Sequence, residues 1–117
     1  MNIKIEAKKG ATYITLKGEL DHHEAGGVRK IIEEFISKKG EINLVFDMTE
    51  LDFMDSSGIG LIVGRYNLVS PLGGKVFLIL KEGNISRIVK MSGIEKFVDV
   101  FYDKKSLLDA INGGKAV

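Results

Sequence analysis

Residues 52–60 read DFMDSSGIG, with two carboxylates, two hydroxyls and two glycines set between single apolar residues. Downstream, Ile59, Ile62, Val63 and Tyr66 repeat at the i, i+3, i+4, i+7 spacing of a helix face. Upstream, Ile42 to Phe46 is a short apolar run of strand type. The stretch is therefore the loop of a strand–loop–helix unit, with its hydroxyls and carboxylates at the start of a helix. In sheets built from such units, sites form beyond the carboxyl ends of the strands.

Working outward, the same alternation recurs. Ile3, Ile5 and Ala7 alternate with polar residues, KKG at 8–10 makes a turn, and Ile14 and Leu16 alternate again, which predicts an antiparallel hairpin. Val28, Ile31, Ile32, Phe35 and Ile36 form one helical stripe that Gly40 ends, while Gly26 and Gly27 weaken its first turn. Ser70-Pro71-Leu72-Gly73-Gly74 closes the helix that follows DFMDSSG. Val76 to Leu80 is a buried strand, and Asn84 is placed to cap a helix carrying Ile85, Ile88 and Val89, with Gly93 past its end. Phe97 to Phe101 is a last strand, and Asp103 caps a helix with Leu107, Leu108 and Ile111. The tail NGGKAV, from about residue 112, reads as frayed.

The order β-β-α-β-α-β-α-β-α predicts an α/β fold: a mixed, mostly parallel sheet with an N-terminal antiparallel hairpin and about four helices. At 117 residues the expectation is a single domain over 1–117. DFMDSSG follows the third strand and GELDHHE (18–24) follows the second, so the two loops are expected at one end of the sheet.

Lys plus Arg number 17 against 16 Asp plus Glu, a balance that argues against nucleic acid or an anionic membrane as the main partner. The chain has no cysteine, which excludes disulfides, thiolate metal sites and cysteine nucleophiles. MNIKIEAKKG alternates and reads as no signal peptide, and the apolar runs are too short to span a bilayer. A cytoplasmic protein is the expectation.

Four site readings compete. GIGLIVG (58–64) has glycine spacing G-x-G-x-x-x-G rather than the dinucleotide fingerprint, and a loop of several residues is expected between it and the Ile42–Phe46 strand. Its glycines equally suit close packing, since Gly60 and Gly64 lie one turn apart. Asp21-His22-His23-Glu24 holds the only two histidines, too few for a metal site, and reads as a capping turn with solvated imidazoles. A Ser-His-Asp hydrolase from Ser56 or Ser57, His22 or His23, and Asp55 or Asp52 lacks the G-x-S-x-G elbow. Finally, Asp55, Ser56 or Ser57 serves as a helix N-cap, a role that accounts for only one of these residues.

The strings GELDHHE (18–24) and FMDSSGIGLIVGRY (53–66), with MSGI (91–94), resemble the anti-sigma factor antagonists of sporulating bacteria, the SpoIIAA type of the STAS domain family. The resemblance covers essentially the whole chain. It implies a non-enzymatic binding module without a cofactor of its own. Its partner would be an anti-sigma factor that is also an ATP-bound serine kinase of the histidine-kinase-like ATPase class. Binding would release a sigma factor that controls sporulation transcription. The kinase would phosphorylate the serine directly after the aspartate, here Ser56, and a serine phosphatase would reverse the change. Asp21, Asp55, Ser57, Gly58, Ile59 and Gly60 would form the partner-binding surface, with Gly58 and Gly60 letting the partner approach the backbone. Arg65 is expected to be solvated. The free protein is expected to be a monomer with no metal. The alternatives are a stress-response or stressosome regulator of the same chemistry, and a small nucleotide-binding or hydrolysing protein.

Overall fold

The computed structural model describes residues 1–113. Among these residues five strands lie in the order β1-β2-β3-β4-β5. They are β1 (Asn2–Lys8), β2 (Ala11–Leu20), β3 (Leu44–Met54), β4 (Val76–Ile79) and β5 (Asp99–Phe101). β1 pairs antiparallel with β2, and every other neighbour is parallel. Among the described residues four α-helices connect or follow them: α1 (His22–Lys39), α2 (Ser56–Val69), α3 (Asn84–Ser92) and α4 (Lys104–Ile111). This is the α/β architecture expected from the element order.

The hairpin forms because Lys9 (φ 49°) and Gly10 (φ 81°) both adopt left-handed backbone, as a two-residue turn matched to the strand twist requires. Its register sets Ile3 opposite Leu16 and Ile5 opposite Ile14, placing all four on one face. That face carries the main core, with Phe46, Leu78, Leu16 and Leu20 under Val28 and Ile32 of α1, Leu61 and Ile62 of α2, and Val89 of α3. A smaller core lies on the opposite face, where Leu107 of α4 covers Ala11, Tyr13, Val45, Phe77 and Ile79. β4 is buried at every position because both of its faces are covered.

Several boundaries differ from the sequence expectation. β3 does not stop at Phe46 but continues to Met54, so no multi-residue loop separates the strand from α2. Two register shifts against β2 place extra residues in β3, between its pairings Thr15↔Asp47 and Lys17↔Glu50 and again between Gly18↔Leu51 and Glu19↔Phe53. Each bulge breaks the alternation by which a strand is recognised. From the first bulge onward the buried residues fall at Met48, Leu51 and Met54, a spacing of three.

α1 starts at His22, one turn before the glycine pair, because Asp21 caps it. Its edge residue Ile31 is 41% exposed, so the buried stripe is narrower than read. α3 is capped by Gly83 rather than Asn84: Gly83 N donates to Ser86 Oγ at 3.1 Å, and Ser86 Oγ donates back to Gly83 O at 2.9 Å. Asn84 is instead the first helical residue and accepts from Arg87 Nη1. β5 is shortened at its start by a 3-10 turn over Ile94–Lys96. Asp103 caps α4 as expected, and its hydrogen bonds from Ser106 N and Ser106 Oγ hold its carboxyl below the ordinary carboxylate range. Of the NGGKAV tail, Asn112 and Gly113 form a turn that closes α4, and 114–117 lie outside the described residues. Among the described residues no helix is long and apolar enough to cross a membrane.

Two glycines of α2 separate by function. A Cβ at Gly58 would collide with the side chain of Met54 and come within 3.1 Å of Leu20 Cδ2, both in the core. At Gly64 it would meet nothing within 4 Å. Gly58→Ala is expected to lower the unfolding free energy by about 1–3 kcal/mol through overpacking. Gly64→Ala is expected to raise it by about 0.5–1 kcal/mol through helix propensity. Urea denaturation of the two variants beside the parent checks both signs.

Candidate functional site

β2 and β3 end side by side. Glu19 pairs with Phe53 and Leu20 with Met54, and Asp55 N donates to Leu20 O at 3.4 Å. One residue further on, each strand meets an aspartate and then a helix. The loops GELDHHE and DFMDSSG are thus neighbours at the carboxyl end of the sheet, as expected.

The two aspartates perform the same task. Asp21 Oδ1 accepts from His23 N at 3.0 Å and Glu24 N at 3.1 Å. Asp55 Oδ1 accepts from Ser57 N at 2.8 Å. Both residues have extended backbone, as an N-cap requires, and each carboxylate adds negative charge at the positive end of a helix dipole. Of the three candidate caps, Asp55 is the one used.

That assignment leaves the serines free. Ser56, the first residue of α2, is exposed, and its hydroxyl has no hydrogen-bond partner among the described residues. Ser57 is half-buried and engaged through its backbone amide. Of the two adjacent serines, Ser56 is the more exposed.

The remaining predicted site residues fall into two groups. Ile59 is half-buried and lines an apolar cleft with Ser56, Ile88 and Met91. Gly60 is exposed on the other side of α2. Gly58 is buried on the sheet-facing side of α2, and its missing side chain serves packing against Met54 and Leu20. His22 and His23 are exposed and stack edge-on at 5.9 Å, and no group of three or more potential metal ligands converges among the described residues. Neither imidazole hydrogen-bonds to a serine or a carboxylate among those residues, so the hydrolase arrangement is not assembled.

Sequence reasoning missed two features. Met91 is 80% exposed and gives the cleft beside Ser56 an apolar wall, and Phe53, 47% exposed, lines a neighbouring cleft that shares Ile88 with it. Arg65, expected in solvent, is 7% exposed and pairs through Nη2 with Glu33 Oε2 at 3.0 Å. Burial lowers its pKa, with Glu33 opposing the shift and Arg29 adding to it. The signal for Arg65 was its place four residues after Leu61 and four before Val69, in the buried stripe of α2.

The STAS domain model matches residues 2–107. The chain belongs to the STAS domain family. Among its STAS relatives, an anti-sigma F factor antagonist from Paenibacillus polymyxa is 34% identical over 92% of this chain and 94% of its own. An anti-sigma-B factor antagonist from Listeria monocytogenes is 29% identical over 99% of this chain and all of its own. The STAS fold is shared with the anti-sigma factor antagonist SpoIIAA in its unphosphorylated form, with a TM-score of 0.74, 24% identity, and 99% and 100% of the two chains covered. Bacillus SpoIIAA in its phosphorylated form gives a TM-score of 0.72 at 25% identity, covering 94% and 99%.

The caps can be weighed directly. Asp55→Ala and Asp21→Ala are each expected to cost about 1 kcal/mol of stability, within a range of about 0.5–2. Asp55→Asn, which keeps an acceptor, is expected to retain most of it. Thermal and urea melts of the three variants test this.

Proposed function

We propose that this chain is an anti-sigma factor antagonist controlled by phosphorylation of Ser56. The reading is supported by the family, by the names of its curated relatives, and above all by one observation. Asp55 takes the capping role, so the Ser56 hydroxyl stands exposed and unengaged at a helix N-terminus. In this reading the partner is an anti-sigma factor that is also an ATP-bound serine kinase. It docks over the two loops and the start of α2, through Asp21, Asp55, Ser57, Ile59 and Gly60, and gives up its sigma factor. Gly58 contributes by holding α2 close to the sheet.

The switch needs no refolding. A phosphate on Ser56 lies at the positive end of α2, near backbone amides that the helix leaves without partners. It adds about −1.5 to −2 charges beside Asp55 and close to the Asp21 loop. Bulk and like charge then obstruct the partner, and a serine phosphatase restores binding. The sigma factor concerned is one of sporulation. The relative from Listeria, similar along its full length, supports a second reading in which a stress-response sigma factor is released by the same chemistry.

Intact-mass analysis after incubation with a candidate anti-sigma kinase and ATP tests the assignment. One added phosphate is expected on the parent and on Ser57→Ala, and none on Ser56→Ala. Running sporulation-type and stress-type kinases in parallel distinguishes the two readings by which one transfers. A micromolar affinity of the isolated chain for ATP or GTP would instead favour the nucleotide-binding alternative. In the phosphorylated protein, amide NMR shifts are expected to stay within the Asp21 loop and the start of α2, and a change spread across the sheet would overturn the local-block mechanism.

A further inference from the structure

α4 packs on the face of the sheet opposite α2, and between it and the β1–β2 hairpin lies a pocket of about 180 Å³. Its apolar lining is Tyr13, the buried Leu107 and the half-buried Leu108. Three lysines complete the lining: Lys8 at the end of β1, Lys9 in the hairpin turn and Lys104 at the start of α4. No carboxylate lines it.

Two of these lysines stand against the local rules of the fold. Lys9 has φ 49° and is the only non-glycine residue among the described ones in left-handed backbone, at a turn position that asparagine, aspartate or glycine fills at lower cost. Lys104 opens α4, where a cation opposes the helix dipole, and the first turn of α4 holds no acidic residue. Both side chains are exposed and belong to neither core. Among the described residues neither makes an ion pair. Asp103, the cap of α4, accepts from Ser106 through both oxygens and stands outside the lining. Lys8 lies over the Tyr13 ring, with Nζ 5.1 Å from its centroid, and its one carboxylate neighbour, Glu6, is 3.9 Å away. Positions that break a local rule with no packing reason are where function is expected. Here two such positions, from opposite ends of the chain, meet at one pocket.

We propose that the hairpin–α4 pocket binds a small amphiphilic anion, a carboxylate on a short apolar body, with the body against Tyr13, Leu107 and Leu108 and the carboxylate among Lys8, Lys9 and Lys104. An apolar lining with a few placed charges is the composition of a small-molecule site. The carboxylate supplies the negative charge that the three lysines lack, and the apolar body covers surface that otherwise faces water. The site lies across the sheet from Ser56 and does not depend on its phosphorylation.

The test is a ¹H–¹⁵N NMR titration of the full chain at neutral pH with sodium hexanoate, at ionic strength held constant with sodium chloride. Sodium acetate, which has the charge without the body, and hexanol, which has the body without the charge, are titrated in parallel. Saturable shifts of the Lys8, Lys9, Lys104, Leu107 and Leu108 amides are expected with hexanoate, with half-saturation in the millimolar range, and no saturation with acetate or hexanol over the same range. Two variants separate binding from folding. Lys9→Asn gives the turn a residue that it favours, and Lys104→Glu gives α4 an acidic first turn. Each is expected to melt at or above the temperature of the parent. Lys9→Asn is expected to weaken hexanoate binding about two- to fivefold, and Lys104→Glu to abolish the saturable shift. Hexanoate shifts that never saturate, that acetate or hexanol reproduces, or that survive in Lys104→Glu would overturn the proposal. A lower melting temperature in either variant would also overturn it, by giving the lysine a role in the fold.

Discussion

The parallel pairing of β2 with β3 is the constraint on which the rest of the molecule depends. It is a long ladder that absorbs two bulges and still brings Leu20 level with Met54 at its end. Because the two strands finish together, their aspartates finish together, and two helices start side by side. The start of α2 is then held against that strand end by a glycine whose missing side chain is filled by Met54 and Leu20. Moving either strand by one residue would invert the faces of its side chains. It would also separate the caps and lift α2 from the sheet.

This arrangement gives α2 two unlike flanks. Toward α3 it presents Ser56 and Ile59 beside Ile88 and Met91, an apolar surface with a hydroxyl at its rim. Toward α1 it presents glycines and a buried arginine. One helix thus separates an apolar cleft from a recess floored by small residues. The same helix start carries the acidic cap, and a carboxylate in that role spares the neighbouring hydroxyl. A serine in the capping position would have had its oxygen turned inward onto the helix amides.

Much of the architecture was legible because its periodicities are unbroken. The hairpin alternation, the α1 stripe and the Gly40 stop each follow a local rule, and the local rule agrees with the global packing. The far half of β3 was hidden by bulges, which convert a two-residue period into a three-residue one that imitates a helix. The cap of α3 was misplaced by one residue because Ser86 supplies the hydroxyl from inside the helix, a device that an asparagine at the boundary conceals. At the site, the aspartate-serine-serine string was plain, but sequence alone left open which residue caps. Arg65 escaped notice because an arginine is ordinarily placed in water, and only its position within an apolar stripe pointed inward. Glu33, which engages it, lies on a different helix, and no local pattern connects the two.

The sheet has two open edges, and they are unlike. β5 is an edge of only three residues, too short to template much. β1 is seven residues long, but Lys4, Glu6 and Lys8 stand along it, joined by Lys4–Glu6 and Lys8–Glu6 ion pairs at 3.6 and 3.9 Å. A second copy adding its own strand there would have to bring its backbone alongside that row of charge. Such charge along an open edge disfavours strand-to-strand pairing. The apolar ground that this molecule does expose lies instead on its helical side, at Ile59, Ile88 and Met91 beside Ser56.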